Sequence, residues 1–151
     1  MSIFDKIRIP VAAALATLLM VTGAAAWENS ESEEDWGATC WLSASYSGGT
    51  VKLMSGKGKA SIAMLISMQS YPQDTASVSL YAEMDNGSRF ANNGAMNDYF
   101  GEISFDLNRS HLEKMMGASS MTLTIARSNR ITVGLDADSQ LTNFLACAGN
   151  P

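Results

Sequence analysis

Between Thr39 and Leu135 the chain is dominated by short runs in which apolar and polar residues alternate, the period-two pattern of strands with one buried face. In Thr39–Tyr46, Cys40, Leu42, Ala44 and Tyr46 share one parity and Thr39, Ser43 and Ser45 the other, with Trp41 breaking the polar side. Ser47-Gly48-Gly49 predicts a turn, and Val51 and Leu53 mark a short second strand. After the turn sequence Ser55-Gly56-Lys57-Gly58-Lys59, a third strand sets Ile62, Met64, Ile66 and Met68 against Ser61, Ala63, Leu65 and Ser67. Tyr71-Pro72-Gln73-Asp74 interrupts the pattern. A fourth strand then opposes Val78, Leu80, Ala82 and Met84 to Ser77, Ser79, Tyr81 and Glu83. Asp85-Asn86-Gly87 is a tight-turn sequence that leads into a short Ser88-Arg89-Phe90.

Ala91–Asp98, polar and rich in Asn and Gly, predicts a loop, and Tyr99–Leu107 a strand with Tyr99, Ile103, Phe105 and Leu107 on one face. Then the period changes. Ser110-His111-Leu112-Glu113 fits a capping box for a short helix over Ser110–Met116, with Gly117 as its C-terminal cap. Met121, Leu123 and Ile125 alternate with threonines, Ser128-Asn129-Arg130 turns, and Ile131, Val133 and Leu135 form the last strand. Asp138 or Ser139 can cap a closing helix that carries Leu141, Phe144 and Leu145 before Cys147. Seven or eight short strands without βαβ alternation predict a mostly β domain: an antiparallel β-sandwich or barrel-like fold with two short helices in its C-terminal half.

The first residues follow another logic. Lys6 and Arg8 outweigh Asp5, an uncharged apolar run extends from Ile9 to Val21, and Ala24 and Ala26 form an A-x-A site before Trp27. These are the three parts of a secretory signal in order, and the run is too short for a span, which needs roughly 20 apolar residues. Residues 1–26 are therefore expected to be a signal peptide, with the mature protein periplasmic or secreted and not stably inserted in a membrane. Its removal takes away Asp5, Lys6 and Arg8 and leaves 14 acids against 8 bases, a net charge of −6. That balance argues against nucleic acid and anionic lipid surfaces as partners. Part of the acidity lies in Glu28–Asp35, which has no apolar periodicity. Residues 27–37 accordingly read as an acidic flexible leader, and residues 38–151 as a single β-rich domain.

The two cysteines, Cys40 and Cys147, stand near the two ends of that domain. In an exported chain an even count points to a disulfide, and two cysteines allow one intramolecular pairing. A C-x-x-C redox motif is absent, and a thiolate metal site lacks further ligands in a chain with one histidine.

Candidate chemistry is sparse. His111 would have to serve any Ser–His or Cys–His mechanism, no Gly-x-Ser-x-Gly elbow is present, and a surface histidine is the simpler reading. Glu102 and Asp106 share a parity opposite the apolar face of their strand, so as a carboxylate pair they are expected to point to solvent. Asn92–Asp98 offers oxygen ligands without the D-x-D-x-D-G spacing of a calcium loop. Ser55–Lys59 lacks the spacing of a phosphate loop and precedes a strand. Met64 and Met68 fall on a core parity, which favours packing over soft-metal ligation. No catalytic, cofactor-binding or metal-binding residue is assigned, and no cofactor is expected.

The closing stretch from Val133 through Asp138-Ser139 and Leu141 to Phe144-Leu145-Ala146-Cys147 is similar to the tail of invasion-associated-locus-B-like proteins. It also resembles that of VasI/TagO-like periplasmic accessory proteins of type VI secretion. The resemblance covers that C-terminal strand–loop–helix–Cys alone; Trp36-x-x-x-Cys40 is compatible with it. It implies a β-rich periplasmic domain and carries over no functional residue. The expected function is that of a non-enzymatic periplasmic or secreted binding or accessory protein whose partner is another envelope or secreted protein. Two rivals stand beside it: a secreted inhibitor or immunity-type protein acting by protein–protein contact, and a hydrolase with an unrecognised carboxylate site.

Overall fold

The computed structural model describes residues 26–149. The export signal expected over residues 1–26 lies outside them, apart from Ala26. Nine strands, β1 (Glu28–Glu34), β2 (Gly37–Tyr46), β3 (Gly49–Gly56), β4 (Ile62–Ser67), β5 (Val78–Met84), β6 (Arg89–Asn97), β7 (Glu102–Leu107), β8 (Ser120–Ile125) and β9 (Asn129–Gly134), form one sheet. Two helices, α1 (Arg109–Met115) and α2 (Asp138–Ala148), follow β7 and β9. The strand order is β1-β2-β3-β4-β7-β6-β5-β8-β9, with every neighbouring pair antiparallel.

The alternation in the sequence becomes two faces. Leu42, Leu53, Met64, Phe105, Gly94 and Val78 stand opposite one another in turn across six strands, one continuous row of the inner face. All of these but Gly94 are buried. The glycine is required there, because a Cβ at position 94 would run into the Ser104 carbonyl and the Phe105 ring. The sheet folds over this core in a sandwich-like manner without closing into a barrel. Its two ends are nonetheless linked: the buried Trp27 donates its indole N–H to the Gly134 carbonyl at 2.7 Å, and β9 lies beside β2.

α2 buries Leu141, Phe144, Leu145 and Ala148 and packs on β1 and β2. Cys147 reaches Cys40 on β2 as a disulfide, with Cα atoms 6.1 Å apart. Its last turn also accepts main-chain hydrogen bonds from the β3–β4 turn, Gly58 N to Cys147 O (3.0 Å) and Ala60 N to Ala148 O (2.8 Å).

Four expectations are corrected. Residues 28–34 are not a leader outside the domain but the edge strand β1, paired residue for residue from Glu28↔Ser43 to Glu34↔Gly37. Its side chains are largely exposed, so main-chain hydrogen bonds hold it and no apolar stripe marks it; acidic side chains on an edge also discourage pairing with another chain. Ala91–Asn97, expected as a loop, belongs to β6, held between β5 and β7. α1 is capped by Asn108 and not Ser110: Asn108 Oδ1 accepts from His111 N, and His111 Nδ1 accepts from Asn108 N at 3.0 Å. Gly117, at φ 78°, ends that helix as expected. α2 has no side-chain cap, since the Asp138 carboxylate accepts from Gly117 N at 3.0 Å.

Candidate functional site

On the outer face of the sheet, four aromatic rings gather at one end; elsewhere on that face Tyr81 stands exposed on β5. Trp36 lies in the β1–β2 turn, Trp41 on the outer parity of β2, and Tyr99 and Phe100 in the β6–β7 turn. They meet edge to face, with ring centroids 5.2 Å apart for Trp36 and Tyr99, 5.7 Å for Trp36 and Phe100, 5.6 Å for Trp41 and Phe100 and 4.8 Å for Tyr99 and Phe100. Such pairs contribute about 0.5–1.5 kcal/mol each beyond area burial.

Hydrogen bonds fix each ring's base. Trp36 donates its indole N–H to Thr39 Oγ1 at 2.9 Å, and Trp41 donates to Ser32 Oγ at 2.7 Å. Asn97 Oδ1 accepts from the main-chain N–H groups of Tyr99 and Phe100, and Tyr71 Oη donates to the Gly101 carbonyl at 3.1 Å. Gly101 takes φ 68° to close this turn, a conformation that favours glycine. The outcome is a rigid platform with two rings still open to water: Trp36 is 46% exposed and Tyr99 57%. Partial desolvation, and then the acids Asp35 and Glu34, push the Tyr99 hydroxyl above its ordinary pKa.

This platform walls a groove of about 820 Å³. Met54, Ala63, Ser104 and Asp106 line its floor, and Lys57 and Lys59 on the β3–β4 turn stand at its other rim. Lys57 is paired with Glu31 at 2.9 Å, a contact that holds the amine above its ordinary pKa. Lys59 makes no ion pair among the described residues. A shallower cleft of about 450 Å³ continues the groove over β7 and β6 and shares Asn97, Ser104 and Asp106 with it.

The sequence candidates distribute differently from expectation. Glu102 has the predicted parity but is buried, its side chain 9% exposed, and it accepts from Lys52 Nζ at 2.9 Å. Lys52 also lies 6.0 Å over the Trp41 ring. The correction has a long-range cause: residues from β2 and β3 enclose a position that its own strand marks as solvent-facing. Glu102 Oε2 has no hydrogen-bond partner among the described residues. Asp106 is exposed, as expected. Four residues along a strand separate the two carboxylates by roughly 13 Å. Paired glycosidase acids stand about 5–9.5 Å apart, so these two do not act on one bond.

His111 is half-buried, packed on Phe90 with centroids 4.6 Å apart, and occupied by its own helix cap. Met64 and Met115 are core residues. Near the disulfide, one carboxylate oxygen of Glu31 and the two sulfurs lie within 4.8 Å of one another, but the sulfurs bond to each other and leave a lone carboxylate. Sequence reasoning missed the platform itself. The one local signal was Trp41, an aromatic on an otherwise polar parity; Tyr99 and Phe100 join it only through the sheet register. No family model matches this chain, and neither a curated protein nor a solved structure is similar to it.

Proposed function

We propose that this is a non-enzymatic, exported binding or accessory protein whose ligand occupies the outer-face groove. The observation that carries the reading is the aromatic platform: two large rings, anchored by hydrogen bonds and left open to water beside a groove of about 820 Å³. Ligand sites combine such apolar surface with a few convergent polar groups. Folding leaves much of the apolar surface of Trp36 and Tyr99 unburied, 46% and 57% exposed. The groove's polar groups suit recognition better than catalysis. Asp106 is its one acid, Glu102 is neutralised by Lys52, and the only histidine sits on α1. Two cysteines at disulfide distance fit an oxidising compartment. No helix among the described residues is long and apolar enough to cross a membrane.

The test is site-specific photocrosslinking in the producing cell, with the reactive group at Tyr99 or at the control position Glu83, which is exposed on β5. A discrete adduct from position 99 and none from position 83 is expected. Equal labelling at both positions, or none at either, would sink the reading.

A further inference from the structure

The two connected clefts differ in lining, and together they specify a ligand chemistry. The aromatic end offers the exposed parts of Trp36 and Tyr99, whose rings are inclined to each other at 67°. The continuation offers planar amides, a hydroxyl and a carboxylate: Asn93, Asn97, Ser104 and Asp106. The side chains of Asn93, Ser104 and Asp106 make no hydrogen bond among the described residues. Asn97 uses only its carbonyl oxygen, for the turn beneath Tyr99 and Phe100, and keeps its amide donors free.

The backbone beneath is not available. β7 is paired on one side with β4 and on the other with β6, so its main-chain donors and acceptors are taken up in the two ladders. An extended peptide would find no strand edge to extend, which is how such segments usually gain affinity on a sheet. What remains is a surface read by side chains alone. Its exposed rings suit flat C–H faces, and its free donors and acceptors suit neighbouring hydroxyls.

Resting on the reading of the groove as the binding site, we propose that its ligand is a linear oligosaccharide. Sugar rings stack on Tyr99 and Trp36, and hydroxyl groups are held by Asn93, Asn97, Ser104 and Asp106. The track crosses β3, β4, β7 and β6, three strand spacings or roughly 14 Å. Charge selects among glycans. Lys59 stands without an ion pair among the described residues on the rim facing the platform, and Asp106 lies on the floor that the groove shares with its continuation. A chain carrying a carboxylated sugar therefore binds with that sugar beside Lys59.

The experiment uses the exported protein and three probes: neutral gluco-oligosaccharides, N-acetylated hexosamine oligomers, and oligomers containing uronic acid. Binding is followed by tryptophan fluorescence and calorimetry. Saturable binding of the uronic-acid oligomers is expected. Tyr99→Ala weakens it about tenfold, in line with the loss of one stacked ring. Asp106→Asn weakens the acidic and neutral chains alike, whereas Lys59→Gln weakens the acidic chains and leaves neutral ones unchanged. Asp106 is exposed, so Asp106→Asn should melt with the wild type; Tyr99→Ala also loses its edge-to-face contacts with Trp36 and Phe100, so its binding is measured well below its own melt, which separates lost binding from lost fold. No saturable binding of any probe at millimolar concentration would overturn the proposal, as would binding indifferent to Tyr99→Ala. A protease-sensitive adduct at position 99 together with no glycan binding overturns the glycan while leaving the groove as the binding site. Absence of both an adduct and glycan binding overturns the two together.

Discussion

Breaking the Cys40–Cys147 bridge is the perturbation whose size follows most directly from the fold. The cysteines are 107 positions apart. In the chain-entropy model a ring of that size removes about 16 cal/mol/K from the unfolded ensemble, or roughly 4.8 kcal/mol at 25 °C. For a domain of this length the unfolding entropy is roughly 0.26 kcal/mol/K, so reduction lowers the melting midpoint by roughly 18 °C.

The loss is not spread evenly. Burying Leu141, Phe144 and Leu145 contributes about 1.5–3 kcal/mol each, in total roughly 5–9 kcal/mol. Ordering the backbone of the 11 residues of α2 costs at least about 11 kcal/mol. Apolar contact alone leaves the helix near balance, and the covalent link decides that it stays docked. The attack point is also defined: Cys40 is 1% exposed, while Cys147 is half-buried at the wall of a cleft of about 410 Å³. An external thiolate therefore reaches the Cys147 sulfur and releases the Cys40 thiolate. The assay is a thermal melt with and without reductant, and of Cys40→Ala/Cys147→Ala, combined with amide exchange. The α2 amides, and those of Gly58 and Ala60 that donate to its last turn, should lose protection before the sheet does. An unchanged midpoint, or exchange that accelerates equally in β4 and α2, would refute the reasoning.

Three further outcomes are expected. Burial, and secondarily the Lys114 charge, hold the His111 imidazole below its ordinary pKa. The unfolded chain thus takes up this proton first. The group's contribution is complete above about pH 6.5 and is lost as pH falls through the lower folded-state pKa; stability measured from pH 7 to 5 should show that loss in the wild type but not in His111→Gln, and identical slopes would count against it. Lys52→Met strands Glu102 as an unpaired buried carboxylate and should cost about 3 kcal/mol in denaturant unfolding, with Lys52→Met/Glu102→Leu recovering most of it; a neutral single variant would contradict the pairing. Intact mass of the exported protein should place its N-terminus at Trp27, and a mature chain that keeps residues 1–26 would remove the signal-peptide reading.

The parts of the fold legible in the sequence are those where one face meets the core. The alternations of β2, β4, β5, β7, β8 and β9 mark burial directly, and the proximity of Cys40 to Cys147 follows from there being only two. The illegible parts are held by other forces. β1 is an edge strand with exposed side chains, so pairing with β2 leaves no periodic trace. β6 carries Asn92, Gly94 and Asn97, residues typical of turns: Gly94 is needed where the backbone approaches the Ser104 carbonyl and the Phe105 ring, and Asn97 accepts the hydrogen bonds of the turn that follows. Glu102 reads as exposed from its own strand, and only Lys52, fifty positions away, explains its burial. The groove is harder still to read. Trp36, Trp41, Tyr99 and Phe100 come together through strand register, which no local window contains.

The strand order also governs how the chain reaches this state. Six of the eight strand pairings join consecutive strands, and only β4–β7 and β5–β8 do not. Hairpins close in microseconds, whereas non-local pairing waits on the entropy of long loops. On this ground folding should run through two meanders, β1–β4 and β5–β7, with the non-local seams β4–β7 and β5–β8, which span equal sequence separations, closing last. During synthesis the first meander exists before its partner has emerged. One of its edges is β1, guarded by Glu28, Glu31, Glu33 and Glu34. The other is β4, Ile62–Ser67, an apolar strand with no charge at all. Until β7 docks, that edge is open to other chains, so seam closure is the moment at which aggregation competes with folding.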